Sequence, residues 1–119
     1  MQKLTKTEES LMQIIWRLGR CTVSDVIAEL GEPRPPHGSI SSLVRIIEKK
    51  GFLDHKAYGK THEYFAIIPK ENYGKATASR LISDYFEGSA LTLVSALMRD
   101  EKVDTDELKS LIAQFKNDQ

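Results

Sequence analysis

In the stretch HGSISSLVRIIEKKGFL, residues 37–53, hydroxyls and cations gather on one side of a helical pattern. At 100° per residue, Ile40, Leu43, Val44 and Ile47 share one face, while Gly38, Ser41, Ser42, Arg45 and Lys49 cluster about the opposite direction. Small residues let a helix backbone approach base edges in a major groove. Hydroxyls bond bases or phosphates there, and an arginine can fork onto guanine or phosphate. His37 and Ser39 at the start of the same stretch complete the candidate base- and phosphate-facing set. A second cluster, HKAYGKTH, places Lys56, Lys60 and His62, with His55, about a glycine turn, where cations suit a sugar-phosphate backbone. Solvated surfaces carry such charges too, so the order of the surrounding elements has to decide.

Other chemistries find less support. The three histidines and Cys21 fall into no His-Glu-x-x-His, Cys-x-x-Cys or Gly-x-Ser-x-Gly spacing, so neither an enzyme nor a metal or cofactor site is expected. A lone cysteine rules out a disulfide framework within the chain and fits a reducing compartment, the cytoplasm by default; it reads as a small buried or boundary residue. The N-terminal segment shows no cleavable signal, and no window reaches the ~18 apolar residues of a membrane span, so no membrane insertion is expected. Net charge is zero, yet its distribution is uneven. Residues 34–62 carry six Lys/Arg against two Asp/Glu and all three histidines, whereas residues 69–119 carry seven against nine.

The elements that must position these groups follow from caps and periodicity. Thr5 with Glu8, and Thr22 with Asp25, are start signals for two amphipathic helices that stop at Gly19 and Gly31. GEPRPPHG is a loop, with Ser39 the expected cap of the third helix, which ends at Gly51. FLDHKAY, a Gly-Lys turn and THEYFAII read as a hairpin that Pro69 closes. Three further helices are expected over about 70–87, 89–99 and 105–116, the last capped by Asp104 with Glu107. Helix, helix, turn, helix, hairpin is the order of a winged helix-turn-helix. The fold class expected is mainly α with a small β-hairpin wing, divided as 1–69, a DNA-binding winged helix, and 70–119, a helical dimerisation region. Tyr73, Leu81, Ile82, Tyr85, Phe86, Leu91, Val94, Leu97, Leu108, Leu111, Ile112 and Phe115 are more apolar surface than an isolated three-helix tail can hide, and pairing two tails would bury it.

LTKTEESLMQIIW, Gly19, TVSDVIAEL, the serine-bearing helix running into KKGFL, the wing GKTHEYFAIIP and the tail LISDYFEGSALTLVSALM together resemble the penicillinase repressor (BlaI/MecI) family of bacterial transcriptional regulators over nearly the whole chain. The resemblance implies a homodimeric repressor whose winged helix reads a half-site of a palindromic double-stranded DNA operator. It also implies control by a membrane sensor metallopeptidase that cuts the tail. The cleaved bond of that family falls on Ala96-Leu97, where its Asn-Phe pair is replaced. The Arg-Leu pair before the Lys-Gly end of the third helix is replaced by Ile46-Ile47, with arginine one place earlier at Arg45. The paired C-terminal cysteines of the copper-sensing branch are absent.

Two other classes share some of these features. A ligand-responsive regulator of the phenolic-acid (PadR-like) type carries a similar third helix and wing, but its tail normally forms long coiled helices; here Gly88 and the stretch from Asp100 to Asp104 break the tail. A winged helix that binds only protein should lack outward cations on its third helix, and this chain has them.

Overall fold

The computed structural model describes residues 1–117, with the side chains of residues 112 and 115–117 outside that description. Helix α1 spans Lys6–Leu18 and opens on the expected capping box: the Thr5 hydroxyl accepts the Glu8 N–H, and the Glu8 carboxylate accepts the Thr5 N–H. Helix α2, Val23–Leu30, repeats the device with Thr22 and Asp25. Gly19 and Gly31 end the two helices at φ 82° and 76°, backbone that glycine adopts without steric cost.

Helix α3 covers His37–Lys49 and begins two residues before Ser39. The expected serine cap is therefore corrected: Pro36 is the N-cap, and its carbonyl accepts from the Ser39 N–H at 3.1 Å and the Ile40 N–H at 3.4 Å. Pro36 sits at φ −59° and ψ 137°, an extended conformation compatible with a helix start and reachable within the proline ring's fixed φ. His37 and Gly38 thereby enter the first turn, and Ser39 becomes its third residue.

Strands β2, Leu53–Tyr58, and β3, Thr61–Ala66, pair antiparallel from Leu53↔Ala66 to Tyr58↔Thr61. Gly59, at φ 63°, takes the positive φ that a type II′ turn needs at its first central position. A strand not anticipated from the sequence, β1 at Arg20–Cys21, pairs with β3 through Arg20↔Phe65 and Cys21↔Tyr64, so the sheet order is β1-β3-β2. Two residues carry no periodicity of their own, and only the partner strand makes them one.

The core lies between α1, α2, α3 and the sheet. Leu11, Met12, Ile15, Val26, Val44, Ile47, Phe52 and Leu53 are each 2% exposed or less. Burying side chains of this size contributes roughly 1.5–3 kcal/mol apiece before conformational entropy is charged against it. Phe52 and Leu53 follow α3 after Lys50 and Gly51, so burying them turns the chain from helix into wing.

Contacts divide the chain into two compact units, Met1–Tyr73 and Gly74–Gln119. Tyr73, expected among the dimerising residues, belongs to the first. Its ring meets Phe52 edge-on at 5.4 Å and 79° and lies 5.8 Å from Trp16, and its hydroxyl donates to Glu9 at 2.7 Å. One turn into α4, Lys70–Tyr85, the chain is still close enough to close this core, so the ring is used there. Trp16 secures the same region by donating its Nε1–H to the Ile68 carbonyl at 2.9 Å.

The second unit holds the rest of α4, α5 at Ala90–Met98 and α6 at Thr105–Asn117. Ser89 caps α5, and Asp104 caps α6 by accepting the Asp106 and Glu107 N–H groups. Among the described residues of this unit none is buried, and Leu81, Tyr85, Leu91, Leu97 and Leu111 are exposed. The expectations at Ile112 and Phe115 fall on side chains outside the described residues.

One buried ion pair ties the two ends of the helical layer. Glu8 is 3% exposed; its Oε1 accepts from Lys50 Nζ at 2.5 Å, and the same ammonium donates to the Lys3 carbonyl at 3.2 Å. Burial alone would push the Glu8 carboxyl up, but the Lys50 ammonium and the Thr5 bonds outweigh it and hold the group below its ordinary range. A lowered folded-state value means that this stabilisation is present at neutral pH and fades as pH falls through that value. Lys50→Met should cost about 1–3 kcal/mol in urea unfolding at neutral pH, and the deficit should narrow on acidification. A pH-independent deficit would show that Lys50 acts by packing alone.

Candidate nucleic-acid interface

Helix α3 presents the face that its periodicity requires. Ile40, Val44 and Ile47 are buried and Leu43 packs partly against them, while His37, Gly38, Ser39, Ser42, Arg45 and Lys49 are exposed and Ser41 is half-buried. Lys50 is occupied by Glu8, so Arg45 and Lys49 are the exposed cations of this helix.

Between α3, the start of α2 and the wing lies a cleft of about 290 Å³ lined by Thr22, Val23, Ser24, His37, Ser41, Arg45, Lys60, Thr61, His62 and Tyr64. Three separate elements thus bring hydroxyls, two cations and two imidazoles to one concavity. Lys60 stands exposed at the hairpin turn, while His62 is half-buried on the sheet face toward α3, its ring stacked on His55 at 4.2 Å and 10°. Strand alternation puts Lys56 on the other face, exposed, with its ammonium 5.3 Å from the Tyr58 ring. The predicted wing residues therefore divide: Lys60 and His62 share the cleft with α3, and Lys56 does not.

Sequence reasoning missed the cleft floor. Tyr64 is 4% exposed and sits beside Arg45. Burial and the Glu48 carboxylate raise its phenol above the ordinary range, and the Arg45 guanidinium, by charge and hydrogen bonding, works against them. Thr22 was legible only as a helix start, and Ser24 carried no signal of its own. Their place in the cleft follows from the packing of α2 on α3.

Glu48, Asp54 and His55 bring one ligand atom each within 4.8 Å of one another, a grouping that could take a divalent cation. Their mutual bonds already account for it: His55 Nδ1 is bonded to the Glu48 carboxylate, and Asp54 accepts the His55 backbone N–H at 2.7 Å. Cys21 is 2% exposed, and burial, with Asp25 and Glu63 nearby, pushes its thiol up to about 11, so it stays protonated at neutral pH. No helix among the described residues is long and apolar enough to cross a membrane.

Comparison with known proteins shows which family the chain falls in. Residues 4–117 match the family model described as penicillinase repressor. The chain belongs to the penicillinase repressor family. It is 24% identical over 110 residues to the methicillin resistance regulatory protein MecI of Mammaliicoccus sciuri, covering 92% of this chain and 89% of that one. To the penicillinase repressor of Bacillus licheniformis it is 22% identical over 111 residues, 92% and 86% of the two chains. The solution structure of the DNA binding domain of the repressor BlaI matches with a TM-score of 0.52 and 26% identity, over 61% of this chain and 94% of that one. The fold is a winged helix of a family of DNA-binding transcriptional repressors, and this membership sets the phenolic-acid regulator lineage aside.

The burial of Cys21 has a direct readout. At neutral pH the native thiol should react with an aromatic disulfide reagent at least ~10²-fold more slowly than the urea-unfolded chain, because modification must wait for opening of the core. Comparable rates would mean that the thiol is reachable in the folded protein.

Proposed function

We propose that this protein represses transcription by binding a palindromic operator as a homodimer, with residues 1–69 reading a half-site and residues 70–119 dimerising. The observation that carries the reading is the exposed face of α3, with Ser42, Arg45 and Lys49 outward and Ser41 and Arg45 opening onto a cleft shared with Lys60. Ser41, Ser42 and Arg45 face bases, His37 and Ser39 approach at the start of the helix, and Lys49, Lys56, Lys60 and His62 hold phosphate.

Support for the dimer comes from the second unit, where Tyr85 and Leu91 are each 75% exposed in the single chain. Leu81, Ile82, Phe86, Val94, Leu97, Leu108, Leu111, Ile112 and Phe115 complete the proposed dimerising set, from which Tyr73 is withdrawn. Exposed apolar side chains in this number favour burial against a partner. Release by a membrane sensor metallopeptidase acting at Ala96-Leu97 belongs to the same proposal. Ala96 is half-buried and Leu97 36% exposed, so a protease would need local opening of α5 or a free monomer.

Light scattering at micromolar concentration should give a dimer, and a monomer would overturn the palindrome reading. A chain ending at Ala96 should keep its half-site affinity and lose ~10²-fold or more on the full operator, since linkage between the two half-sites is gone. Arg45→Ala should cost about 1–3 kcal/mol and relax preference at one base pair per half-site. Lys60→Ala should weaken all sequences alike and flatten the salt dependence by roughly one unit per chain. Unchanged base preference in Arg45→Ala would move that residue to the phosphate-binding class.

A further inference from the structure

Arg45 and Glu48 stand three residues apart on α3, the spacing at which opposite charges meet on a helix surface. An arginine engaged by that carboxylate would present a neutralised, internally satisfied fork to DNA. Among the described residues, however, Arg45 forms no ion pair, and Glu48 bonds to His55 of β2 instead. Their spacing on the helix keeps that alternative pairing available, and both side chains act on the same Tyr64 hydroxyl.

His55 is well placed to hold the carboxylate. Pairing with Tyr64 across the ladder fixes its backbone, Asp54 accepts its N–H at 2.7 Å, and the His62 ring backs its imidazole in parallel at 4.2 Å. A carboxylate only accepts, so His55 Nδ1 carries the hydrogen in this bond, and it can do so in the neutral or the charged ring. Glu48 and His55 side chains are 26% and 31% exposed, which leaves the pair less screened than one at the open surface.

We infer that His55 is a positioning residue for DNA reading: by holding Glu48 it keeps the Arg45 guanidinium free of an ion pair and the carboxylate away from the phosphates. The wing thus acts on base readout through α3 without touching a base. This rests on Arg45 being the base reader proposed above.

The test uses the full chain and a duplex carrying the best site recovered by in vitro selection, followed by fluorescence anisotropy. H55A should weaken that duplex roughly three- to fivefold per half-site, the range an ion pair of this exposure commands, and should lose discrimination at the base pair where R45A loses it. H55A/E48Q should recover both affinity and discrimination, and H55N, whose amide can still donate to Glu48, should resemble wild type. A purely structural role for His55 would leave the double variant as weak as H55A, and that result overturns the inference, as does wild-type binding by H55A. If R45A itself kept wild-type affinity and base preference, the reading of Arg45 would fail and this inference with it; R45A defective beside a normal H55A would sink the inference alone.

Discussion

The Glu8 carboxylate is the joint on which the first unit turns. It closes the cap of α1 by accepting the Thr5 N–H, and at the same oxygen it accepts the ammonium of Lys50, the residue that ends α3. A carboxylate buried to 3% exposure must be fully partnered or it destabilises the fold. Both partners are supplied by helix termini, so the start of one helix and the end of another are held together. With Ile40, Val44 and Ile47 packed inward, this fixes the rotation of α3 about its axis and therefore which side chains face outward.

The wing completes the same constraint from the other side. Phe52 and Leu53 are buried shortly after α3, which brings β2 back along the helix, and β3 carries Tyr64 and His62 beneath the cleft. Each strand of the hairpin thus faces α3 with one set of residues, among them His55, and faces solvent with the other, which includes Lys56 and Tyr58. The division of polar groups between pairing partners is what leaves Arg45 and Lys49 exposed while Glu48 and Lys50 are engaged.

Much of this was legible in the sequence because it rests on local rules. The two capping boxes, the glycine stops, the apolar stripe of α3 and the two-residue turn at Gly59 all depend on residues within four positions of one another. What could not be read depends on distant partners. Strand β1 exists because β3 lies beside it, and Tyr73 falls in the core because Phe52 and Trp16, 21 and 57 residues away in sequence, leave a place for its ring. The start of α3 was misplaced because a proline carbonyl can open a helix without a side-chain cap. The cleft floor at Tyr64 and the Glu48–His55 pair were hidden for the same reason: a strand residue's alternation gives its face, but not the helix side chain it meets.

The central claim is that a rigidly oriented α3 reads one half of a symmetric site while a second copy reads the other. In vitro selection of a randomised duplex library by the full chain tests it most directly. The expected product is an inverted repeat whose two half-sites keep one spacing, close to a whole number of helical turns. Recovery of a single unrepeated motif, or of no preferred sequence at all, would contradict it.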